Sequence, residues 1–270
     1  VERFFKYHGL GNDFVVLDRR GSGVDVDEGL TRRLCDRHFG VGADGVLVIL
    51  PEAGVAGRMM VHNADGSLAQ MCGNGLRCVV KHLAEHSPGR PSQLSVATGA
   101  GVLDCALHWG EQQVEAVTID MGPARLEAAI LPGGGPFIAR AIDGALGTAV
   151  SMGNPHFALL ATDPAQAATL GPTLERHPSF PERANIEFVR PRAEGGLEVR
   201  VWERGVGLTL ACGTGACAAV VAWALAGRCS FDAWVPVLLP GGLLDIKVAA
   251  DLGQVWLRGP VQFVFEGTLP

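Results

Sequence analysis

A chain of 270 residues, 48% apolar and 19% charged, can bury the core of one large domain or two modest ones, which excludes a disordered or fibrous protein. Its net charge of -6, with no clustered basic face, argues against nucleic acid or an anionic membrane as partner, and no run reaches the ~18 to 20 apolar residues of a membrane helix. Seven cysteines, an odd number, with no signal peptide visible in the opening residues, point to reduced thiols and a cytoplasmic enzyme rather than a disulfide framework.

In chain order, residues 14–17, 45–49 and 59–62 are apolar runs that predict strands, with a helix over 31–37 between the first two. A helix over 75–85 follows directly on Cys72-Gly73-Asn74-Gly75. Residues 104–109 and 114–119, separated by a polar turn, predict a hairpin, and residues 120–123 form the expected junction between two halves. The glycine-rich stretch 131–136 reads as a flexible spacer loop, since no Lys-Ser/Thr follows it to make a phosphate cradle. Asp163 and Pro164 predict the cap and first turn of a helix over 163–170. Further hairpins are expected over 186–190 with 197–202 and over 235–239 with 243–248. Between them a helix over 215–226 opens on Cys212-Gly213-Thr214-Gly215. Cys35, Cys105 and Cys229 read as small core residues. So do Cys78 and Cys217, whose spacing from Cys72 and Cys212 is not that of a zinc knuckle; no metal site is expected.

One phrase occurs twice: Met71-Cys72-Gly73-Asn74-Gly75 returns as Ala211-Cys212-Gly213-Thr214-Gly215. The offset from Asn12 to Cys72 matches that from Asn154 to Cys212 to within two residues, and Asn63 and Glu203 each stand nine before their cysteine. Asp44 and Asn185 correspond to within one. Matched punctuation through both halves predicts two copies of one domain, residues 1–119 completed by a C-terminal strand at 257–270, and residues 120–256.

Each repeated cysteine is expected at a helix N-terminus, followed by glycines that let backbone N–H groups approach a ligand. The helix dipole is expected to lower the thiol pKa there, and the same amides suit a carboxylate. Two such thiols facing one carbon can remove a proton from one side and deliver one to the other, inverting the centre with no cofactor. Pyridoxal phosphate is the usual alternative, but Lys6, Lys81 and Lys247 all lack a phosphate-binding context.

Six segments carry a resemblance: Gly9-Leu10-Gly11-Asn12-Asp13-Phe14, His62-Asn63-Ala64-Asp65-Gly66-Ser67, Met71 to Arg77, Gly153-Asn154-Pro155-His156, Trp202-Glu203-Arg204-Gly205, and Leu210 to Cys217. In these the chain resembles the diaminopimelate epimerases, a group of cofactor-independent amino-acid racemases with paired cysteines. The resemblance implies interconversion of LL- and meso-diaminopimelate on the bacterial route to lysine and peptidoglycan. It also implies an α+β fold of two similar, pseudo-symmetric domains, each a strand-rich mixed sheet or barrel around a central helix, with the site in the cleft between them, and a homodimer. Cys72 and Cys212 would be the acid/base pair, and Gly73, Asn74, Gly213 and Thr214 would hold the carboxylate at the reacting centre. Arg204 would grip the distal carboxylate as a fork, and Asn12, Asn63, Asn154 and Asn185 would line the pocket. His156 and Glu203 would tune the thiols, Glu203 having substrate ammonium as an alternative partner.

Two positions depart from the family pattern: Gly45 replaces a glutamine that touches substrate in some members, and Leu208 replaces a frequent glutamate. Two rival functions remain open. A proline or hydroxyproline epimerase would keep both cysteines but need neither Arg204 nor the asparagine set. A non-catalytic amino-acid-binding protein of the same fold would need neither thiol.

Overall fold

The computed structural model describes residues 2–126 and 135–269 and divides into two compact units, Val1–Ile119 with Gly259–Pro270, and Asp120–Arg258. Most of the expected spacer loop, residues 131–134, lies outside the described residues. The first unit runs β1 (Glu2–Gly9), β2 (Asn12–Asp18), α1 (Glu28–Cys35), β3 (Gly45–Leu50), β4 (Arg58–Asn63), β5 (Leu68–Ala69), α2 (Gly73–Glu85), β6 (Gln93–Thr98), β7 (Gly101–Trp109) and β8 (Val114–Asp120). After a short β9 (Arg140–Ile142), the second runs β10 (Ala145–Ser151), β11 (Pro155–Leu159), α3 (Ala167–Glu175), β12 (Asn185–Pro191), β13 (Leu197–Glu203), β14 (Gly207–Leu208), α4 (Gly213–Leu225), β15 (Val235–Leu239), β16 (Gly242–Val248) and β17 (Val255–Pro260). Finally β18 (Gln262–Leu269) returns to the first unit and pairs antiparallel with β1.

Element order is the same in both units, and so is strand pairing. In the first, β2 with β3 and β4 with β6 are parallel, while β1–β2, β3–β4, β4–β5, β6–β7 and β7–β8 are antiparallel. In the second, β11 with β12 and β13 with β15 are parallel, and the antiparallel pairs recur as β10–β11, β12–β13, β13–β14, β15–β16 and β16–β17. Each parallel pair needs a crossover, and a helix supplies it every time.

Burial explains which helix is central. From Gly215 to Ala224 the helix α4 is buried throughout, as a helix of alanine, valine and cysteine with no polar face must be. Its counterpart α2 is buried from Asn74 to Ala84 despite carrying Arg77, Lys81 and His82, so those charges need internal partners. The strands between helices are covered on both faces. Val15, Leu17, Val46 and Val48 pack with Leu34 and Cys35 of α1, whereas Leu47 lies under Gly75 of α2. That double cover is why β3 reads Gly-Val-Leu-Val-Ile-Leu without polar alternation. Among the described residues no helix is long and apolar enough to cross a membrane.

Several boundaries differ from expectation. Helix α1 begins earlier, because the Asp27 carboxylate caps it by accepting from Leu30 N–H, and it stops where Asp36 accepts from the amides of His38 and Phe39. The Asp163 cap is present, but a single 3-10 turn, Pro164–Gln166, precedes α3, which runs on to Glu175. The C-terminal strand expected as one is two, broken at Val261. Cys229 is half-buried rather than core, while Cys35, Cys78, Cys105 and Cys217 are buried. Leu10 (φ 57°) and Gly11 (φ 81°) turn the chain from β1 into Asn12, and Gly153 (φ 92°) does so ahead of Asn154.

Asp18 in β2 accepts from Arg20 and from His82 of α2. Burial raises its carboxyl, but these donors outweigh burial and hold it well below the usual range. Arg37 and Lys6 lower Asp13 against burial in the same way. Such a carboxylate adds stability that is present above its unfolded pKa of about 4 and is lost as pH falls through the lower folded value. Urea unfolding is therefore expected to show stability falling between about pH 5 and pH 2, with Asp18→Asn less stable than the parent at neutral pH and shallower in that slope. An unaltered slope in Asp18→Asn would contradict this.

Candidate active site

Cys72 is the N-cap of α2, its sulfur accepting from Gly75 N–H at 3.4 Å and lying 3.9 Å from Asn12 Oδ1. That oxygen also accepts from Asn74 Nδ2 at 3.1 Å, and Asn12 Nδ2 donates to Asp44 Oδ2 at 2.8 Å. With both ends of its amide engaged, Asn12 keeps its carbonyl turned to the thiol. Arg77, fully buried one turn into α2, donates to Asn74 Oδ1 at 2.9 Å and to the carbonyls of Gly73 and Pro260. Gly9 makes room for it, since a Cβ there would lie 2.8 Å from Arg77 Nη2. Asn63 sits exposed at the end of β4 and donates to Ser67 Oγ at 2.9 Å. The departure at Gly45 has a steric cause: a Cβ at that position would meet the His62 carbonyl oxygen at 2.6 Å.

Arg77→Met is expected to destabilise by about 3 kcal/mol, because it removes a fully buried donor from Asn74 Oδ1 and from the carbonyls of Gly73 and Pro260. Thermal unfolding should show a midpoint ~6 to 12 °C lower. A shift within one degree would mean those acceptors find other donors.

In the second unit Cys212 is the buried N-cap of α4, with Thr214 Oγ1 at 3.6 Å from its sulfur. Glu203, ending β13, accepts from Thr209 Oγ1 at 2.6 Å and from the Cys212 thiol. Burial raises its carboxyl, those hydrogen bonds only partly offsetting the effect. His156 is completely buried on β11, Nδ1 lying 2.6 Å from Glu187 Oε1 and Nε2 lying 2.9 Å from Asn154 Oδ1. Asn154 Nδ2 donates in turn to Thr214 Oγ1 at 3.4 Å. Asn185 is a strut: Nδ2 donates to the Pro155 carbonyl and Oδ1 accepts from Arg204 N–H, each at 2.9 Å. Arg204 is exposed, and its Nη1 donates to the Glu182 carbonyl at 3.0 Å.

The expected lowering of the thiol by its helix does not hold at Cys212. Burial pushes that thiol well above its ordinary value, and the carboxylates of Glu203 and Glu187 push it further, outweighing the hydrogen bond to Thr214. A helix terminus acts through partial charges, and burial together with two acidic groups close by exceeds it. Cys212 therefore rests as the thiol at neutral pH.

A family model described as diaminopimelate epimerase matches residues 4–127 and 148–264, a span that takes in both cysteines and every residue of this network. The chain belongs to the diaminopimelate epimerase family. A protein named diaminopimelate epimerase from Desulforudis audaxviator is 46% identical over 274 residues, covering 98% of either chain. One of the same name from Synechococcus elongatus is 45% identical over 281 residues, covering 99% of this chain and 98% of its own. Among solved structures, a hydroxyproline epimerase from Agrobacterium vitis with bound trans-4-hydroxy-L-proline matches with a TM-score of 0.70 at 16% identity, over 99% of this chain and 90% of that one. At that identity the likeness speaks for the fold alone.

Within the diaminopimelate epimerase framework, the structure gathers Asn12, Cys72, Gly73 and Asn74 in one unit and Asn154, His156, Glu203, Cys212, Gly213 and Thr214 in the other. Asn63 and Arg204 sit at strand ends with exposed surface, and Asn185 is committed to backbone. His156 was expected near a thiol, but its nitrogens face Glu187 and Asn154, so it reaches Cys212 through them. Sequence reasoning missed Glu187 and Arg77 as members of the network. The signal for Glu187 was a carboxylate inside the apolar run Ile186-Glu187-Phe188-Val189; for Arg77, a charge in the first turn of an otherwise buried helix. Leu208 is exposed on β14, so the carboxylate it replaces would have been a surface one.

Proposed function

We propose that this protein interconverts LL- and meso-diaminopimelate, Cys72 and Cys212 acting as an acid/base pair on opposite faces of one α carbon. The observation that carries the reading is the recurrence of a cysteine N-cap on the buried helix of two units that share one order of elements and one pattern of strand pairing. A single thiol can abstract a proton, but returning it to the other face calls for a second group.

The amides that open α2 and α4, with Gly73, Asn74, Gly213 and Thr214, take the carboxylate of the reacting centre. As the α proton leaves, charge builds on that carboxylate, and N–H groups aimed there stabilise it. Cys212, held as a thiol, is ready to donate. Asn12 lies beside the Cys72 sulfur and Asn154 reaches Cys212 through Thr214, while Arg204 holds the distal carboxylate with two parallel N–H groups and Asn63 and Asn185 shape that end. Glu203, one hydrogen bond from Cys212, adds to burial in keeping that sulfur protonated. The same reading assigns a homodimer working in the cytoplasm.

LL-diaminopimelate incubated with the protein in heavy water, without added pyridoxal phosphate or metal, should yield the meso isomer with one α deuterium. Turnover of proline or 4-hydroxyproline in place of diaminopimelate would favour the sister activity. Binding of diaminopimelate without exchange would favour a binding protein.

A further inference from the structure

Glu187 has no exposed surface and no task in the proton transfer described above. Its Oε1 faces His156 Nδ1 at 2.6 Å, and its Oε2 has no hydrogen-bond partner among the described residues. It lies against the reactive end, since a Cβ on Gly215 would be 3.0 Å from that Oε1 and 3.2 Å from the Cys212 sulfur. From His156 the contacts continue without a gap through Asn154 and Thr214 to Cys212.

We propose that Glu187 is a positioning residue which, acting through His156, Asn154 and Thr214, aims the Thr214 hydroxyl proton at the Cys212 sulfur. The inference rests on reading Cys212 as an acid/base of the reaction. Its logic is the polarity of the chain. A neutral imidazole has one donor nitrogen and one acceptor. Both side chains are fully buried and Glu187 Oε2 is unpartnered among the described residues, so the pair is held near zero net charge and carries two protons, one shared between Glu187 Oε1 and His156 Nδ1 and the other on Nε2. Nε2–H then obliges Asn154 to turn its carbonyl to His156 and its NH2 to Thr214. Thr214 Oγ1, accepting there, keeps its own hydrogen for the sulfur.

Without Glu187, a neutral His156 can carry its proton on Nδ1. The Asn154 amide then turns over and Thr214 donates to it instead of to sulfur. The groups with charge that face Cys212 are Glu203 on β13 and Glu187 on β12, both acidic, with His156 behind Glu187 on β11. Against them, a directed Thr214 O–H joins the Gly215 amide in favouring the thiolate.

Alkylation of Cys212 by iodoacetamide in the full chain, followed against pH by peptide mass spectrometry, reads that thiolate without substrate. Glu187→Ala and Thr214→Val are each expected to slow alkylation near neutral pH about tenfold, equivalent to one unit of thiol pKa. In the Thr214→Val background, Glu187→Ala should add less than about twofold, since both act on one contact. Were Glu187 to act only through its charge, removing it would speed alkylation. Unchanged or faster alkylation in Glu187→Ala, or effects that multiply in the double variant, would overturn the proposal. The unsubstituted protein provides a check that needs no variant to fold: nitrogen NMR should find His156 Nε2 protonated, and a bare Nε2 would overturn it equally. Failure to epimerise diaminopimelate would count against the proposed function alone, because neither readout depends on turnover.

Discussion

Replacing either Cys72 or Cys212 with alanine is expected to lower kcat for diaminopimelate epimerisation by about a thousandfold or more, toward the upper end of what one positioned acid or base contributes. The loss should be similar from either side. If the two thiols share one proton transfer, the reaction needs both in every turnover, whichever isomer enters. Substrate affinity, measured by calorimetry, should change far less, because the groups proposed to hold the carboxylates are amides, asparagines and Arg204. A single variant retaining more than about a tenth of the parent activity would contradict the two-thiol reading. An alternative proton carrier, with Glu203 beside Cys212 the foremost, would then have to be assigned.

Substitution of Arg204 should separate the two ends of the substrate. Arg204→Ala is expected to raise KM about a hundredfold, the loss of two charge-assisted hydrogen bonds, with a smaller effect on kcat. Arg204→Lys should recover little of it, since a point ammonium cannot reproduce a planar fork. The geometry gives the fork a fixed root: Asn185 Oδ1 holds the Arg204 backbone N–H and the Glu182 carbonyl holds Nη1. Steady-state kinetics over a range of diaminopimelate concentrations checks this. An unchanged KM in Arg204→Ala would move the distal carboxylate elsewhere.

Much of this was legible in the sequence because backbone demands and chemistry coincide there. Cys72 and Cys212 stand before glycines where a buried helix must begin, so motif and element boundary mark the same place. Hairpins such as β7–β8 and β12–β13 combine apolar runs with polar turns and were recognised for that reason. Strands β1 and β10 were not. The first carries Lys6, which belongs inside only because Asp13 and the Gly42 carbonyl receive it, and the second is built of small residues whose β character comes from the neighbours they pair with. The same limit applies at the site. The local sequence around Cys212 announces a helix terminus, and that predicts a lowered pKa. Burial and the carboxylates of Glu203 and Glu187, brought from β13 and β12, reverse the sign. Glu187 shows in the sequence only as a carboxylate in an apolar run, and its partner emerges once strand pairing sets β12 beside β11 and brings His156 to it.

Where solvent deuterium first enters decides whether two thiols or one do the chemistry. With LL-diaminopimelate in heavy water, sampled at the earliest measurable conversion, two opposed thiols predict that the meso product carries one α deuterium while recovered LL substrate carries none, and that the same holds in reverse from the meso isomer. Deuterium in recovered substrate, or product that keeps the original proton, would mean that one group removes the proton and returns it, and the paired-thiol reading would be wrong.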